Sequence, residues 1–128
     1  IKEKCLHGIM TSHIYNLNLD SKYPATLSSK ILNELLRQKM NFSGIIISDD
    51  PQMKAISDHY ELKESLSLMI NAGIDIFCFG NNLIYNPDIA MTTYRSIKEL
   101  LDKNKIKYES ILRSYQRIMK VKSLLKLI

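Results

Sequence analysis

The chain has 128 residues, of which 45% are hydrophobic and 24% are charged, and its formal net charge is +5. This size suits one globular unit and excludes a complete (β/α)8 barrel, which takes about 250 residues. No apolar run reaches the roughly 18 residues of a membrane span, and no helix-turn-helix, zinc-knuckle or aromatic RNA-binding pattern occurs. We therefore expect no membrane and no nucleic-acid partner.

The first predicted unit is a strand from Leu6 to Ile14, followed by a polar loop and a helix with Ser28 or Ser29 as its N-cap. The apolar side chains of this helix recur at helical spacing, and Arg37 lies off their face. They are Ile31, Leu32, Leu35 and Leu36.

The second unit opens with the isoleucine run 45–47, which shows no alternation of polar and apolar residues. A strand covered by helices on both faces has this pattern, so the run predicts a parallel sheet. Ser48, Asp49 and Asp50 follow at the carboxyl end of the strand. That end is where α/β folds bind ligands and place their chemistry.

A polar loop is predicted from Asp49 to Tyr60, then a helix from Leu62 to Ala72 that ends at Gly73. The third predicted strand covers Ile74 to Phe79, and Cys78 within it is expected to be a small buried side chain. With Cys5 as the only other cysteine, a reduced cytoplasmic location is the simplest expectation.

Two more helices complete the chain, one beginning at Pro87 with Asn86 as its cap and one from Tyr108 to Leu127. Their predicted inward side chains are Ile89, Tyr94, Ile97 and Leu101 in the first, and Ile111, Tyr115, Ile118 and Leu125 in the second. The order β-α-β-α-β-α-α predicts an α/β fold with right-handed crossovers.

A sequence signature surrounds the acidic pair. Leu35-Leu36-Arg37, then Gly44 with three aliphatic residues and Ser48-Asp49, resembles the active-site signature of glycoside hydrolase family 3. Asp50 and the segment Met53-Lys54-Ala55-Ile56 resemble its bacterial β-N-acetylglucosaminidase branch. Segments 10–13, 24–28 and 72–75 also resemble family motifs, whereas Pro51 and Glu61 depart from the usual leucine and glycine.

The resemblance implies a partial TIM (β/α)8 barrel, with about three C-terminal βα units plus a terminal helix. Residues 1–128 would be the incomplete C-terminal portion of the barrel domain, and the initial Ile1 suggests that a segment precedes it. Since a partial barrel leaves open strand edges, we expect self-association or pairing with the missing N-terminal half.

The resemblance also implies roles for individual residues. Asp49 would be the nucleophile of a retaining β-N-acetylglucosaminidase of the cell-wall recycling type. Ser48 and Asp50 would support it, and His13 and Met53 would contact the N-acetylglucosaminide substrate. No metal or other cofactor is implied.

The acid/base group of that branch has no counterpart in the sequence. In the family it is a histidine paired with an aspartate, in a Lys-His-Phe-Pro-Gly-His-Gly region with a following Asp-Ser-His, and neither motif occurs here. We therefore expect the isolated chain to carry the nucleophile and to be weak or inactive, since removing one member of a catalytic unit removes most of its rate.

Two other functions remain open from the sequence. The chain could be a truncated half-barrel that serves as an assembly piece without catalysis. It could also be an α/β signalling domain in which Asp49 and Asp50 bind a metal ion and accept phosphate, although Ile74–Gly80 ends without the further aspartate that such domains need.

Overall fold

The computed structural model describes residues 6–83 and 85–127, and it has the predicted mixture of strands and helices. In chain order the elements are strand β1 (Gly8–Met10), a 3-10 turn (Ala25–Leu27), a wide π-type helix (Lys30–Lys39), strand β2 (Ile45–Ile47), and helices α1 (Lys54–Ser57), α2 (Leu62–Ala72), α3 (Ile89–Asp102) and α4 (Tyr108–Leu124). None of the helices in these ranges is both long and apolar enough to cross a membrane.

Strands β1 and β2 pair in parallel, as predicted, with Gly8 opposite Ile45 and Met10 opposite Ile47. The segments before β1 and β2 approach each other so closely at the amino end of β2 that a glycine is required there. A Cβ atom on Gly44 would lie 2.5 Å from the carbonyl oxygen of His7, which no real contact tolerates. The sheet of the described residues is open and does not close into a barrel.

The prediction of a regular third strand over Ile74–Phe79 is wrong. This segment runs beside β2 but forms a single parallel bridge, between Ile47 and Ile76. Side chains replace the ladder on either side of that bridge: the carboxylate of Asp75 accepts the amide of Ile46 (2.8 Å), and the hydroxyl of Ser48 accepts the amide of Cys78 (3.1 Å). These two side-chain bonds add to three backbone bonds, from the amide of Ser48 to Ile76 and from the amides of Asp75 and Ile76 to Ile46, that fix the segment to β2.

The thiol of Cys78 is exposed, so the expectation that it is buried is also wrong. Its segment is held at the edge of β2, with only one backbone bridge, and the thiol lies on the outer side. Cys5 lies outside the described residues.

Helix α2 has the predicted bounds and forms the centre of the core. Leu66 and Met69 are completely buried, together with Ile46 of β2 and Ile56 of α1. The helix ends at Gly73, whose φ of 101° lies in the left-handed region that glycine adopts without strain.

Helices α3 and α4 differ from the predictions at their ends and on their inward faces. Helix α3 begins at Ile89, because the Asn86 side chain accepts the amide of Asp88 (2.9 Å) in a turn that precedes the helix. Tyr94, Tyr115 and Leu125 are exposed rather than inward.

The predicted polar loop 49–60 contains α1, which buries Ile56 against the core.

Arg37 was predicted to lie off the packed face, and this prediction is wrong. Its side chain is only 10% exposed and forms an ion pair with the fully buried carboxylate of Asp75. The guanidinium also donates to the carbonyl oxygens of Phe42 and Gly44, which precede β2. The buried Asp75 carboxylate draws Arg37 inward to the amino end of the sheet, opposite the end that carries Asp49.

Candidate active site

Asp49 lies immediately beyond the carboxyl end of β2, between two more deeply buried polar residues. Ser48 is completely buried and Asp50 is 8% exposed, whereas Asp49 is half-buried. Successive residues of an extended chain point to opposite sides, so the side chains on either side of Asp49 turn inward while its own carboxylate turns the other way. The Asp49 carboxylate therefore lies on the opposite side of the backbone from the side chains of Ser48 and Asp50.

Ser48 fixes the segment after α2 against β2. Its amide donates to the carbonyl oxygen of Ile76 (2.9 Å), and its hydroxyl accepts from the amide of Cys78 (3.1 Å). The residue directly before Asp49 is thus held by two hydrogen bonds to a different part of the chain.

Asp50 connects three segments at the same end of the sheet. Its Oδ2 accepts the amide of Gly80 (3.0 Å), and its Oδ1 accepts the amide of Gln52 (2.9 Å). Its carbonyl oxygen accepts from Nε2 of His13 (2.9 Å). Both carboxylate oxygens of Asp50 are therefore already engaged by backbone amides.

The carboxylate of Asp49 is oriented by its own loop. Its Oδ1 accepts the amide of Asp50 (2.9 Å), which is a charge-assisted hydrogen bond to the ionised form. Pro51 follows in a buried position and fixes the backbone φ after the acidic pair. The loop that begins at Asp49 is therefore restrained within three residues.

His13 reaches this loop from the segment after β1. Its Nε2 lies 2.9 Å from the Asp50 carbonyl oxygen, and its Nδ1 lies 3.0 Å from the Thr26 hydroxyl. The structure thus brings His13 to the acidic pair, at the end of the sheet where the sequence predicted it. The predicted sugar contact stays a prediction, and it would compete with two protein hydrogen bonds.

Met53 lies three residues beyond Asp50, and its amide donates to the Asp50 carbonyl oxygen (3.0 Å). Its side chain is 37% exposed at the start of α1, so it is available to a ligand beside the acidic pair. His59 follows α1 in an exposed position and packs edge-on against Tyr60.

Sequence reasoning missed three residues of this arrangement: Thr11, Thr26 and Gly80. Thr26 is completely buried and contacts Thr11, His13 and the carbonyl oxygen of Ser12. A Cβ atom on Gly80 would lie 2.9 Å from Asp50 Oδ2, so the absence of a side chain there permits the hydrogen bond. Segment 24–28 carried a motif, but nothing local indicated that its threonine contacts a histidine.

The described part of the chain, residues 6–83 and 85–127, contains no group of three or more histidine, cysteine, aspartate or glutamate side chains that could hold a metal ion. The acidic pair and His13 are instead joined through backbone atoms. The arrangement can present one carboxylate, Asp49, at a fixed position on the end of a strand.

An open parallel α/β sheet with a single presented carboxylate at a strand end is typical of enzymes that act at the carboxyl ends of their strands. Residues 1–121 match the family described as "Glycosyl hydrolase family 3 N terminal domain". The chain belongs to glycosyl hydrolase family 3.

Individual relatives agree with this assignment. The beta-hexosaminidase A of Pseudoalteromonas piscicida is 30% identical, over 90% of this chain and 21% of that protein. The crystal structure of the β-N-acetylglucosaminidase from Thermotoga maritima matches at 33% identity with a TM-score of 0.76, over 89% of this chain and 24% of that one. A family 3 β-N-acetylglucosaminidase from a Paenibacillus strain matches at 27% identity with a TM-score of 0.82, over 92% and 22%.

These matches cover nearly all of this chain and about a fifth to a quarter of each relative.

Proposed function

We propose that this chain is the C-terminal portion of the barrel domain of a retaining β-N-acetylglucosaminidase, and that Asp49 is its nucleophile. The observation that carries the proposal is the position of Asp49 at the carboxyl end of β2, half-buried, between two residues whose side chains turn inward. Family membership supports the reaction class, and the names of the relatives support the N-acetylglucosaminide substrate.

In the proposed first step, an Asp49 carboxylate oxygen attacks the anomeric carbon of a terminal β-linked N-acetylglucosamine. The bond from that carbon to the leaving oxygen breaks, and a glycosyl ester forms on Asp49. Attack by water then releases the sugar with retained configuration. Ser48 and Asp50 support the step by holding the strand end, and Met53 contacts the sugar.

The leaving oxygen needs a proton unless it belongs to a good leaving group. The sequence of 128 residues lacks the histidine and aspartate motifs that supply this proton in the resembled branch. We therefore propose that the general acid lies outside this chain, and that the chain alone hydrolyses ordinary glycosides poorly. The proposed setting is cell-wall recycling in the cytoplasm.

We also propose that the β1 side of the sheet binds the remainder of a barrel or a second copy of the chain. Exposed apolar side chains cluster in sequence on and after β1, and include Met10, Ile14, Leu17 and Leu19. An open strand edge beside apolar surface favours pairing with another chain. Light scattering that gives the mass of a stable monomer at high concentration would contradict this part of the proposal.

The test of the nucleophile uses two substrates that differ only in their need for an acid. We expect the chain to release dinitrophenol from 2,4-dinitrophenyl N-acetyl-β-D-glucosaminide. We expect it to hydrolyse the 4-methoxyphenyl glycoside very slowly. Asp49→Ala should abolish the first reaction, whereas Asp58→Ala, which removes an exposed aspartate of the same loop region, should not.

Three outcomes would contradict the proposal. Release of dinitrophenol at equal rates by the wild type and Asp49→Ala would exclude Asp49 as the nucleophile. Efficient hydrolysis of the 4-methoxyphenyl glycoside would show that a general acid lies within the chain. No reaction in any variant, with the fold intact, would favour the assembly piece that the sequence left open.

A further inference from the structure

We propose that His13 is a positioning residue for Asp49, an inference that rests on the function proposed above. Its ring joins the buried Thr26 hydroxyl to the carbonyl oxygen of Asp50. It thereby fixes Asp50, the residue whose amide donates to the Asp49 carboxylate. In this role His13 does not touch the substrate.

The chemistry of the two contacts assigns one ring proton. The Asp50 carbonyl oxygen, 2.9 Å from Nε2, can only accept a hydrogen bond, so Nε2 carries a proton. The Thr26 hydroxyl, 3.0 Å from Nδ1, has a single proton, which goes either to an unprotonated Nδ1 or to the carbonyl oxygen of Ser12, also 3.0 Å away. Both nitrogens of the ring are therefore engaged by the protein.

Thr26 is a firm anchor because it is completely buried and has two further polar groups within hydrogen-bond distance. Its hydroxyl lies 3.0 Å from the Ser12 carbonyl oxygen and 2.9 Å from the Thr11 hydroxyl. The amide of Thr11 donates to the carbonyl oxygen of Ile47, the last residue of β2 (2.9 Å).

These contacts form a closed circuit. It leaves β2 at Ile47, passes through Thr11, Thr26 and His13, and returns to the chain at Asp50, three residues beyond its start. Ser48 and Asp49 are the two residues that the circuit encloses. A shift of Asp50 relative to Ile47 would lengthen at least one hydrogen bond of the circuit.

The circuit acts on the Asp49 carboxylate through the amide of Asp50, which donates to Asp49 Oδ1 (2.9 Å). His13 holds the carbonyl side of the same residue, while Gly80 and Gln52 hold its side chain. A catalytic group displaced by 1 Å loses about 100-fold in rate, so a bond that fixes this residue has a measurable consequence.

The test compares His13→Gln with His13→Asn. A glutamine amide reaches the position of Nε2 and can donate to the Asp50 carbonyl oxygen. An asparagine amide reaches only the position of Nδ1, so it keeps the contact with Thr26 and loses Asp50. His59→Gln is the matched control, since His59 is exposed and outside the circuit.

The probe is 5-fluoro-N-acetyl-β-D-glucosaminyl fluoride, whose leaving group needs no general acid. An Asp49 oxygen attacks the anomeric carbon, the carbon–fluorine bond breaks, and fluoride leaves with the electron pair. Intact-protein mass spectrometry measures the ester as a function of time and probe concentration. This gives a maximal labelling rate and a half-saturating concentration.

We expect His13→Asn to lower the maximal rate by about 10- to 100-fold and to leave the half-saturating concentration unchanged. His13→Gln, which keeps the Asp50 contact and gives up the Thr26 contact, should lose less than His13→Asn, and His59→Gln should stay within about 3-fold of the wild type. An equal loss in the Gln and Asn variants would overturn the proposal. A raised half-saturating concentration with an unchanged maximal rate would instead make His13 a substrate contact.

Hydrogen exchange of the Asp50 amide separates this inference from the proposed function. We expect faster exchange in His13→Asn than in the wild type and His13→Gln, because the Asp49–Asp50 bond loses its support. If the wild type takes no label, the nucleophile assignment fails, and this exchange pattern alone decides whether His13 fixes the loop. Equal exchange in all three proteins would overturn the positioning role.

Discussion

Arg37 Nη2 lies 2.6 Å from Asp75 Oδ2 at the amino end of the sheet, and the Asp75 side chain has no exposed surface. The other carboxylate oxygen accepts from Nη1 of Arg117 on α4 (2.8 Å). Burial lowers the pKa of Arg37, and the Asp75 carboxylate opposes that change by favouring the charged guanidinium. One buried carboxylate therefore holds the π-type helix, β2 and α4 together.

Asp75→Asn should destabilise the fold by about 3–5 kcal/mol, since it leaves two guanidinium groups near each other without their counter-charge. Urea unfolding measures the loss. Glu99→Gln is the matched control, because Glu99 pairs with Lys63 and Lys103 on the exposed surface, where such pairs contribute about 0–1 kcal/mol. Similar small losses in both variants would show that Asp75 is not the centre of the packing.

Helix α2 and the segment that contains Asp75 show which parts of the fold could be predicted from the sequence and which could not. Helix α2 was predicted with its correct bounds, because its apolar spacing and Gly73 are local signals. The third strand was mispredicted, because the Asp75 carboxylate takes the Ile46 amide from 29 residues away. No apolar pattern contains that information.

The candidate site also has a part that the sequence predicts and a part that it does not. The position of Asp49 at a strand end follows from the isoleucine run before it, which is a local pattern. The contact of His13 with Asp50 joins residues 37 apart, and Thr26 and Gly80 enter from two other loops. These contacts could not be predicted from the sequence, because contacts between loops leave no periodic pattern of residues.

Asp20 makes the stability of the first loop depend on pH. Burial raises the pKa of this carboxyl, but hydrogen bonds from the Ser28 hydroxyl and the amides of Lys22 and Tyr23 outweigh it and hold the pKa below its ordinary value of 3.8. A lowered folded pKa adds stability that is fully present above the ordinary value and is lost as the pH falls through the folded value.

Asp20→Asn should therefore reduce the free energy of unfolding at pH 7 and flatten its fall below about pH 4. Urea titrations at several pH values measure both effects. Asp58→Asn, at an exposed position, should give a curve parallel to the wild type. If the Asp20→Asn curve is also parallel to the wild type, the carboxylate contributes nothing that depends on its charge.

Gly80 permits the hydrogen bond that holds Asp50. A Cβ atom there would lie 2.9 Å from Asp50 Oδ2 and 3.0 Å from Asn82 Oδ1. We expect Gly80→Ala to break the bond and to destabilise the fold by about 1–3 kcal/mol, because a buried carboxylate oxygen loses its donor. It should also lower the maximal labelling rate of Asp49.

Gly8→Ala is the comparison for Gly80→Ala, since its Cβ would meet the side chain of Ile45 at 3.0 Å, where a small shift relieves the contact. Thermal unfolding and the labelling assay are measured for both variants. A larger effect from Gly8→Ala on the labelling rate would show that the Gly80–Asp50 bond does not maintain the strand end.

Met53 tests the proposed contact with the sugar. Its side chain is 37% exposed, and its carbonyl oxygen accepts the amide of Ile56 (2.8 Å), so the start of α1 is held by the backbone and survives truncation of the side chain. Met53→Ala should raise the half-saturating concentration of the fluoride probe by about 4- to 15-fold, the value of one to two buried methylene groups. The maximal rate should stay the same.

Met91→Ala removes an equally flexible methionine that is 49% exposed on α3, and it should leave both parameters unchanged. If Met53→Ala instead lowers the maximal rate at an unchanged half-saturating concentration, Met53 packs the loop of Asp49 and does not contact the sugar. The two parameters thus separate binding of the N-acetylglucosaminide from orientation of the nucleophile, because a contact made equally before and during the reaction changes only the first.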